Sequence, residues 1–385
     1  MKKLILLVAA CFLAHACGSA KAGKAVSPFI IGKIHLRHKP YSVEIADLNG
    51  DKIKDLVIAN GEDSSVTILM GNGKGEFMEA KSSPFPAGYM PNDIAIADFN
   101  KDGIPDLAFA NHDRKYLTIL TGDGKGGFTP LKGSPFHLEV RPHTHGIAVG
   151  DFNSDGNLDL LTDSWGNNQL AILLGNNQHG FNGTANYLNV GKHPYQRARI
   201  ADLNKDGKLD IVTTNLDGNN TTILLGDGKG NFHESEGSPF PCGDSPFGVA
   251  IGDINGDGSP DLAIVNSPSI TSSNTGRDGL TVLLGNGKGT FTAMAGSPFI
   301  TGQSPTRVAI GDLNGDGIRD IVVTNYKSNS ITVFIMRKSA MAYSYTLPVG
   351  SKPDGVTIAD LNGDNKGDIV VANSGDNFLN LLLSK

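Results

Sequence analysis

Seven short acidic segments recur along the chain, each with oxygen-bearing side chains at positions 1, 3, 5 and 9. The clearest copy is Asp-Ile-Asn-Gly-Asp-Gly-Ser-Pro-Asp, from Asp253 to Asp261. In a tight turn these alternating side chains point inward, and the backbone carbonyl of Ser259 can add another oxygen. An all-oxygen set with several carboxylates suits Ca²⁺ better than a transition metal. Because Gly258 permits a sharp left-handed turn, the segment predicts a calcium loop.

The seven copies are spaced 48 to 59 residues apart. A recurring period of this size is typical of propellers and solenoids. The sequence therefore predicts up to seven Ca²⁺ sites in one repeat protein. The candidate metal ligands are Asp47, Asn49, Asp51, Asp55, Asp98, Asn100, Asp102, Asp106, Asp151, Asn153, Asp155, Asp159, Asp202, Asn204, Asp206, Asp210, Asp253, Asn255, Asp257, Asp261, Asp312, Asn314, Asp316, Asp320, Asp360, Asn362, Asp364 and Asp368.

The flanks of these loops exclude an EF-hand. An EF-hand loop carries Glu at position 12 and lies between two helices. Here position 12 is apolar or Thr in every copy, as in Ile58 and Thr162, and the flanking runs are rich in Val and Ile. Such runs favour strands, so each loop is predicted to join two strands of a hairpin.

Each repeat contains four predicted strands. In the first repeat a strand at Val43–Ala46 precedes the loop, and the continuous apolar run Leu56–Ala59 follows it. A third strand, Val66–Met70, leads into the Gly-rich hairpin Gly71–Gly75, and Phe77 begins a fourth. Seven such units predict an all-β fold, a seven-bladed β-propeller of four-stranded blades, with the calcium loops between first and second strands.

The two ends of the repeat region predict how the ring closes. The last repeat stops at its third strand, Leu379–Leu383, while Ser27-Pro28-Phe29 matches the end of a fourth strand without the rest of a repeat. We therefore expect residues 27–31 to pair with the last blade, which would cover two exposed sheet edges. Residues 23–385 are predicted to form this single propeller domain.

The first 22 residues are typical of an export signal. Lys2 and Lys3 precede an apolar stretch, Leu4–Leu13, that is too short to span a bilayer. Ala-x-Ala cleavage patterns follow, and Cys17 leaves a lipoprotein signal with a lipid anchor open as an alternative. We expect an exported protein, extracellular, periplasmic or at the cell surface, with no transmembrane segment. Beyond this stretch Cys242 is the single cysteine, which excludes a disulfide framework.

The charge of the chain follows from the loops. The formal net charge is −6, and every loop contains three Asp residues. The acidity is thus explained by metal sites, and nothing in it suggests a nucleic-acid partner.

The repeats resemble the FG-GAP/VCBS repeat family, whose best-known member is the integrin α-chain head. The resemblance rests on the Asp-Leu-Asn-Gly-Asp-Gly type loops and the Gly-rich hairpins that end in Gly-Lys-Gly-x-Phe. It implies that the Asp and Asn residues above bind Ca²⁺ on one face and that ligands bind on the opposite face. At position 6 the other five loops have Gly, whereas the first loop has Lys52 and the seventh has Asn365.

The face opposite the loops carries a distinctive predicted patch. His143, His145, Trp165 and Tyr195 come from the third blade and the start of the fourth. Flat aromatic rings beside polar groups are suited to stacking on a sugar. We therefore expect an adhesion-type module that binds a carbohydrate or a protein. No catalytic motif is present, so no catalytic residue is assigned. A polysaccharide lyase or related carbohydrate-active enzyme that uses the same face is the alternative.

Overall fold

The computed structural model describes residues 28–139, 144–176, 180–195, 198–270, 276–338 and 340–385, without the side chains of 182–184. These residues form β-strands and one 3-10 helix, Trp165–Asn167. The predicted export signal at 1–22, with Cys17, and the candidate residue His143 lie outside the described residues. No helix in the described ranges is long and apolar enough to cross a membrane.

The strands form seven antiparallel sheets, and within each sheet the strands lie side by side in the order first to fourth. The first strands are Ser42–Ala46, Pro91–Ala97, Ile147–Gly150, Arg199–Ala201, Pro246–Gly252, Pro305–Gly311 and Pro353–Ala359. The second strands are Asp55–Asn60, Asp106–Asn111, Asp159–Ser164, Asp210–Asn215, Asp261–Asn266, Asp320–Asn325 and Asp368–Asn373. The third strands are Ser65–Gly71, Tyr116–Gly122, Gln169–Asn176, Asn220–Gly226, Gly279–Gly285, Ser330–Arg337 and Phe378–Ser384. The fourth strands are Phe77–Glu79, Phe128–Pro130, Gly180–Asn189, Phe232–Glu234, Phe291–Ala293, Ala340–Pro348 and Phe29–His35. The predicted seven-bladed propeller is confirmed.

The second strands are the most deeply buried elements. All six residues of each are buried. Continuous apolar runs such as Leu56–Ala59 fit this position because both faces of the strand meet a neighbouring blade. Hydrophobic clusters therefore span adjacent blades: Phe109 of the second blade, for example, packs with Val57 of the first.

The fourth strand is interrupted in four blades. After Phe77–Glu79 the chain leaves the sheet and returns as the short strand Phe85–Pro86, which pairs with the start of the third strand. In the gap the Ser83 hydroxyl accepts the N–H of Ile68 at 2.9 Å, in place of a strand carbonyl. Proline has no N–H to donate, which explains the break at Ser-Pro-Phe. The equivalent short strands are Phe136–His137, Phe240–Pro241 and Phe299–Ile300.

The ring is closed by an N-terminal strand. Phe29–His35 pairs antiparallel with Phe378–Ser384 and supplies the fourth strand of the seventh blade. On the inside of the ring, the first strands of the seventh and first blades also meet, where the Gly355 N–H donates to the Tyr41 carbonyl at 3.0 Å. A side chain at position 355 would collide with the Ser42 backbone, so Gly is needed for this approach.

Candidate functional site

The propeller has two chemically different faces. The Asp-rich loops join first to second strands and form one face, called here the loop face. The other face, called the open face, is formed where first strands begin and second strands end.

Every loop on the loop face folds around its own carboxylates. The position 1 Asp accepts the N–H of position 6 at 2.8–2.9 Å through one oxygen. Its other oxygen accepts the N–H of position 5 at 3.0–3.2 Å. The position 5 Asp accepts the N–H of position 7 at 2.7–2.9 Å. The side-chain oxygens are thereby held on the inside of the turn.

The position 9 Asp fastens each loop to its blade. In the third loop one Asp159 oxygen accepts the Phe152 N–H at 2.9 Å, and the other accepts the Gly175 N–H at 2.8 Å. Equivalent pairs of bonds occur in all seven blades. Burial raises the pKa of Asp159 to about 6 although these N–H groups lower it, and the charges of Asp155 and Asp151 raise it further.

The donor types of each loop fit Ca²⁺. Three carboxylates, an Asn oxygen and a backbone carbonyl are hard ligands, and carboxylates that repel each other at close range favour a divalent cation between them. In five loops, however, the position 3 Asn turns its amide nitrogen toward the position 5 Asp at 2.9–3.3 Å. Within the described residues, no group of three or more His, Cys, Asp or Glu side chains is arranged so that it could hold a metal ion. Before an ion could bind in these five loops, the amide of the position 3 Asn would have to release the carboxylate of the position 5 Asp.

Position 6 has a left-handed backbone whichever residue occupies it. Lys52 has φ 67° and Asn365 has φ 64°, compared with 82° for Gly258. Asn tolerates this region better than Lys, because its short polar side chain can bond locally. The first loop is therefore the most strained of the three at this position.

The three described members of the predicted open-face patch, His145, Trp165 and Tyr195, belong to two ring pairs. The His145 ring lies 4.2 Å from that of Tyr195, measured between centroids. His145 is only 1% exposed, and Asp163 holds it by accepting its backbone N–H at 2.9 Å and contacting its Nδ1 at 3.1 Å. Tyr195 is half-buried, and burial, followed by the charge of Asp163, raises the pKa of its hydroxyl to about 12. Tyr195 in turn contacts Phe247 of the fifth blade.

The second pair is Trp165 with His193. Their rings stack at 4.3 Å with an interplanar angle of 20°. Both are half-buried, and His193 Nδ1 lies 2.6 Å from an Asp217 carboxylate oxygen. Sequence reasoning missed His193 and Asp163 as partners. A sequence signal for His193 exists: it precedes Pro194 at the start of the fourth blade, as Met90 precedes Pro91 at the start of the second. In the structure both residues have a left-handed φ, 52° for His193 and 42° for Met90.

A buried ion pair lies where the first strands of the sixth and seventh blades begin. Arg307 Nε is 3.4 Å from an Asp354 oxygen, and each residue is 2% exposed. Both terminal guanidinium nitrogens of Arg307 are buried with no hydrogen-bond partner among the described residues. Burial, then the charge of Asp354, raises the pKa of the nearby Tyr41 well above its usual value. The same tyrosine lines a small cavity together with Gly61, Met90, Pro91, Asn92 and His112.

The comparisons with known proteins agree with this architecture. Five stretches match the FG-GAP-like repeat family: residues 47–109, 98–162, 202–264, 270–323 and 312–371. The chain is also 24% identical over 191 residues to cartilage acidic protein 1 of Xenopus tropicalis. That alignment covers 46% of this chain and 29% of the relative, so the chain spans less than a third of that protein.

Solved structures of similar fold serve different functions. Virginiamycin B lyase from Staphylococcus aureus has a TM-score of 0.57 at 15% identity, over 93% of this chain and 100% of that one. A lectin of Agrocybe aegerita that recognises terminal N-acetylglucosamine has a TM-score of 0.54 at 19% identity, over 88% and 86%. BBS1N, solved in complex with ARL6DN, has a TM-score of 0.60 at 14% identity, over 93% and 98%. At such identities these likenesses concern the fold alone. The repeats matched over more than half of its length place this chain in the FG-GAP-like repeat family.

Proposed function

We propose that this protein is an exported, calcium-binding propeller that holds a carbohydrate on its open face. The observation that carries the proposal is the set of rings there: the half-buried Trp165 and His193 stack on each other, and the half-buried Tyr195 packs on the buried His145. Half-buried rings offer apolar area beside polar edges, which is the combination that binds a sugar ring.

The calcium part of the proposal rests on the seven loops. Their donor sets are hard, and in five loops an ion would have to displace the position 3 Asn amide from the position 5 carboxylate. Calcium sites in extracellular modules bind at roughly 10⁻⁴–10⁻³ M, a concentration range that exists outside the cell. An extracellular, periplasmic or cell-surface location is therefore part of the same proposal.

A protein ligand is the second candidate, and one feature of the open face favours it. The Arg114 guanidinium lies over the Tyr89 ring, 3.9 Å from its centroid, and Tyr89 is 41% exposed. Tyr and Arg are the residue types that most often dominate protein–protein binding. BBS1N shows that a propeller of this shape can form a complex with a protein.

The experiment is a glycan array probed with the full chain, with and without Ca²⁺, followed by Trp165→Ala. We expect binding of at least one glycan and its loss in Trp165→Ala, while the melting temperature changes little because the ring is half-buried. Tyr343→Ala is the matched control, since Tyr343 is 54% exposed on the outer strand of the sixth blade.

Three outcomes would count against this assignment. A Trp165→Ala protein that binds its glycan normally would remove the ring pairs from the site. A fall in stability of about 3–5 kcal/mol would identify Trp165 as a core residue instead. An array without any binding, together with a co-purifying protein, would favour the protein ligand.

A further inference from the structure

The outer edges of the blades differ in length and in charge. Each sheet ends at its fourth strand, and these strands form the rim of the propeller. In four blades the fourth strand has three residues before the Ser-Pro-Phe break, as in Phe77–Glu79. In the seventh blade it is Phe29–His35, which carries Lys33. Short strands, prolines and charges are the usual features that keep a sheet edge from pairing with another chain.

The sixth blade has a long outer strand that lacks these features along most of its length. Ala340–Pro348 has nine residues, none of them charged, and its proline is the last residue. Tyr343, Tyr345 and Thr346 are of types that favour strands. The outer strand of the third blade, Gly180–Asn189, is also long and uncharged, but it is rich in Gly and Asn, which are depleted in strands. The edge of the sixth blade is therefore the best suited to accept another strand.

The hydrogen-bond pattern of this strand leaves Ser344 and Thr346 facing outward. The Val349 N–H donates to the Asn329 carbonyl of the same blade at 3.1 Å, and hydrogen-bonded residues alternate along an antiparallel ladder. Every second residue back from Val349 therefore bonds inward, whereas the N–H and C=O groups of Ser344 and Thr346 point away from the sheet. The register shift in this pairing lies nearer the hairpin, next to Ile335, so this part of the edge is regular.

We propose that the sixth blades of two copies of this chain pair edge to edge, antiparallel, around a twofold axis at Tyr345. Ser344 of each copy then lies opposite Thr346 of the other, and their outward N–H and C=O groups form about four backbone hydrogen bonds. Tyr345 meets Tyr345 of the second copy, and aromatic cross-strand pairs stabilise a sheet. The two four-stranded sheets become one continuous sheet with a closed, self-complementary interface.

The charge pattern favours a second copy as the occupant of this edge. In a twofold pair each strand meets its own sequence, so a charge within the strand would lie close to its like. The strand has none, and the nearest charged residues, Lys338 and Lys352, lie beyond its ends. Tyr343, which is 54% exposed, stacks on Tyr345 with 6.1 Å between ring centroids. Each copy therefore brings a pair of uncharged rings to the axis.

The small size of the contact limits its strength. Standard interfaces bury about 1,600 Å² in total, and one pair of strand edges buries less. We therefore expect a dissociation constant on the order of 10–100 μM. The contact lies on the rim, away from the loop face and the open face, so it is independent of the ion and the ligand proposed above.

The test is analytical ultracentrifugation of the full chain from about 1 μM to about 500 μM. We expect the mean mass of the parent to rise from monomer toward dimer. Ser344→Pro removes an outward N–H that its own sheet does not use, and it should weaken association about tenfold or more. Met78→Lys is the matched control for charge, since Met78 is 75% exposed on the short outer strand of the first blade, and it should associate like the parent.

A charge exchange tests the position of the axis. Ser344→Lys alone should weaken association, because two lysines then lie diagonally across the axis, and Ser344→Glu alone should do the same. An equal mixture of the two should associate more tightly than either variant by itself. Melting temperatures close to that of the parent show that the variants fold.

Three results would overturn the proposal. The first is a parent that sediments as a monomer at every concentration. The second is a dimer that Ser344→Pro leaves unchanged or that Met78→Lys weakens equally. The third is a mixture of Ser344→Lys and Ser344→Glu that associates no better than its components.

Discussion

The loop face and the open face differ in how their side chains repeat around the ring. On the loop face the same hydrogen bonds recur in all seven blades, with the position 9 Asp always bonded to two backbone N–H groups. On the open face each blade contributes something different, such as His145, Tyr195, Phe247, Arg307 or Asp354. The repeated face suits a task that every blade shares, and the varied face suits recognition of one particular ligand.

Buried carboxylates make this difference concrete. Asp159 on the loop face is satisfied by its own blade, through the backbone of its loop and of its third strand. Asp354 on the open face is satisfied across blades, by Arg307 of the preceding blade. The first kind of contact fixes a loop, whereas the second ties two blades to one another.

The largest effect should come from breaking the open-face ion pair. Asp354→Ala removes the carboxylate that contacts the buried Arg307 guanidinium, and breaking a buried pair in this way costs about 3–5 kcal/mol of unfolding free energy. Urea denaturation measures this loss. The double change Arg307→Met with Asp354→Ala should recover much of it, because neither charge then remains. A double variant as unstable as the single one would show that the pair is not the cause.

A smaller loss of unfolding free energy is expected when one position 9 Asp is removed from its loop. Asp159→Ala removes the acceptor of the Phe152 and Gly175 N–H groups, and a buried unsatisfied donor costs about 1–3 kcal/mol. Removal of the buried Asp159 carboxyl, whose pKa burial raises to about 6, offsets part of this cost, so we expect a net loss below that of the ion pair. The exposed Asp155→Ala should cost about 1 kcal/mol or less in the same urea titration without calcium. Equal losses for the two would contradict the structural role assigned to position 9.

The smallest effect concerns backbone strain in the first loop. Lys52→Gly relieves a left-handed Lys at φ 67° and should stabilise the protein by up to about 1 kcal/mol. Asn365→Gly should gain less, since Asn tolerates that region better. Thermal melting of both variants in EDTA measures the difference. A gain for Asn365→Gly that matches or exceeds that for Lys52→Gly would overturn the ranking.

The repeated features were predictable from sequence, and the contacts between distant blades were not. The period of the Asp loops and the runs such as Leu56–Ala59 predicted the blades and their buried second strands. The pairing of Trp165 with His193, and of Arg307 with Asp354, joins residues that belong to different repeats. Each pair occurs once, so no periodic signal marks it, and the geometry depends on how adjacent blades pack.

One member of the predicted open-face patch is buried in the structure. His145 precedes the first strand of the third blade and is 1% exposed. The chain buries it, because Asp163 accepts its backbone N–H and its carbonyl accepts the Asn92 side-chain amide at 2.9 Å. Two neighbouring blades thereby enclose the ring, and Tyr195 and Trp165 remain the more accessible members of the predicted patch.

We propose that the loop face binds calcium and that this binding stabilises the propeller. The most direct test is the thermal melting of the full chain in EDTA and in millimolar Ca²⁺, with Mg²⁺ as the control. At a calcium concentration ten times the dissociation constant, each occupied site adds about 1.4 kcal/mol to the unfolding free energy. We therefore predict a melting temperature that rises with calcium over several sites, and less with Mg²⁺. A melting curve that is the same in EDTA and in calcium would contradict the claim.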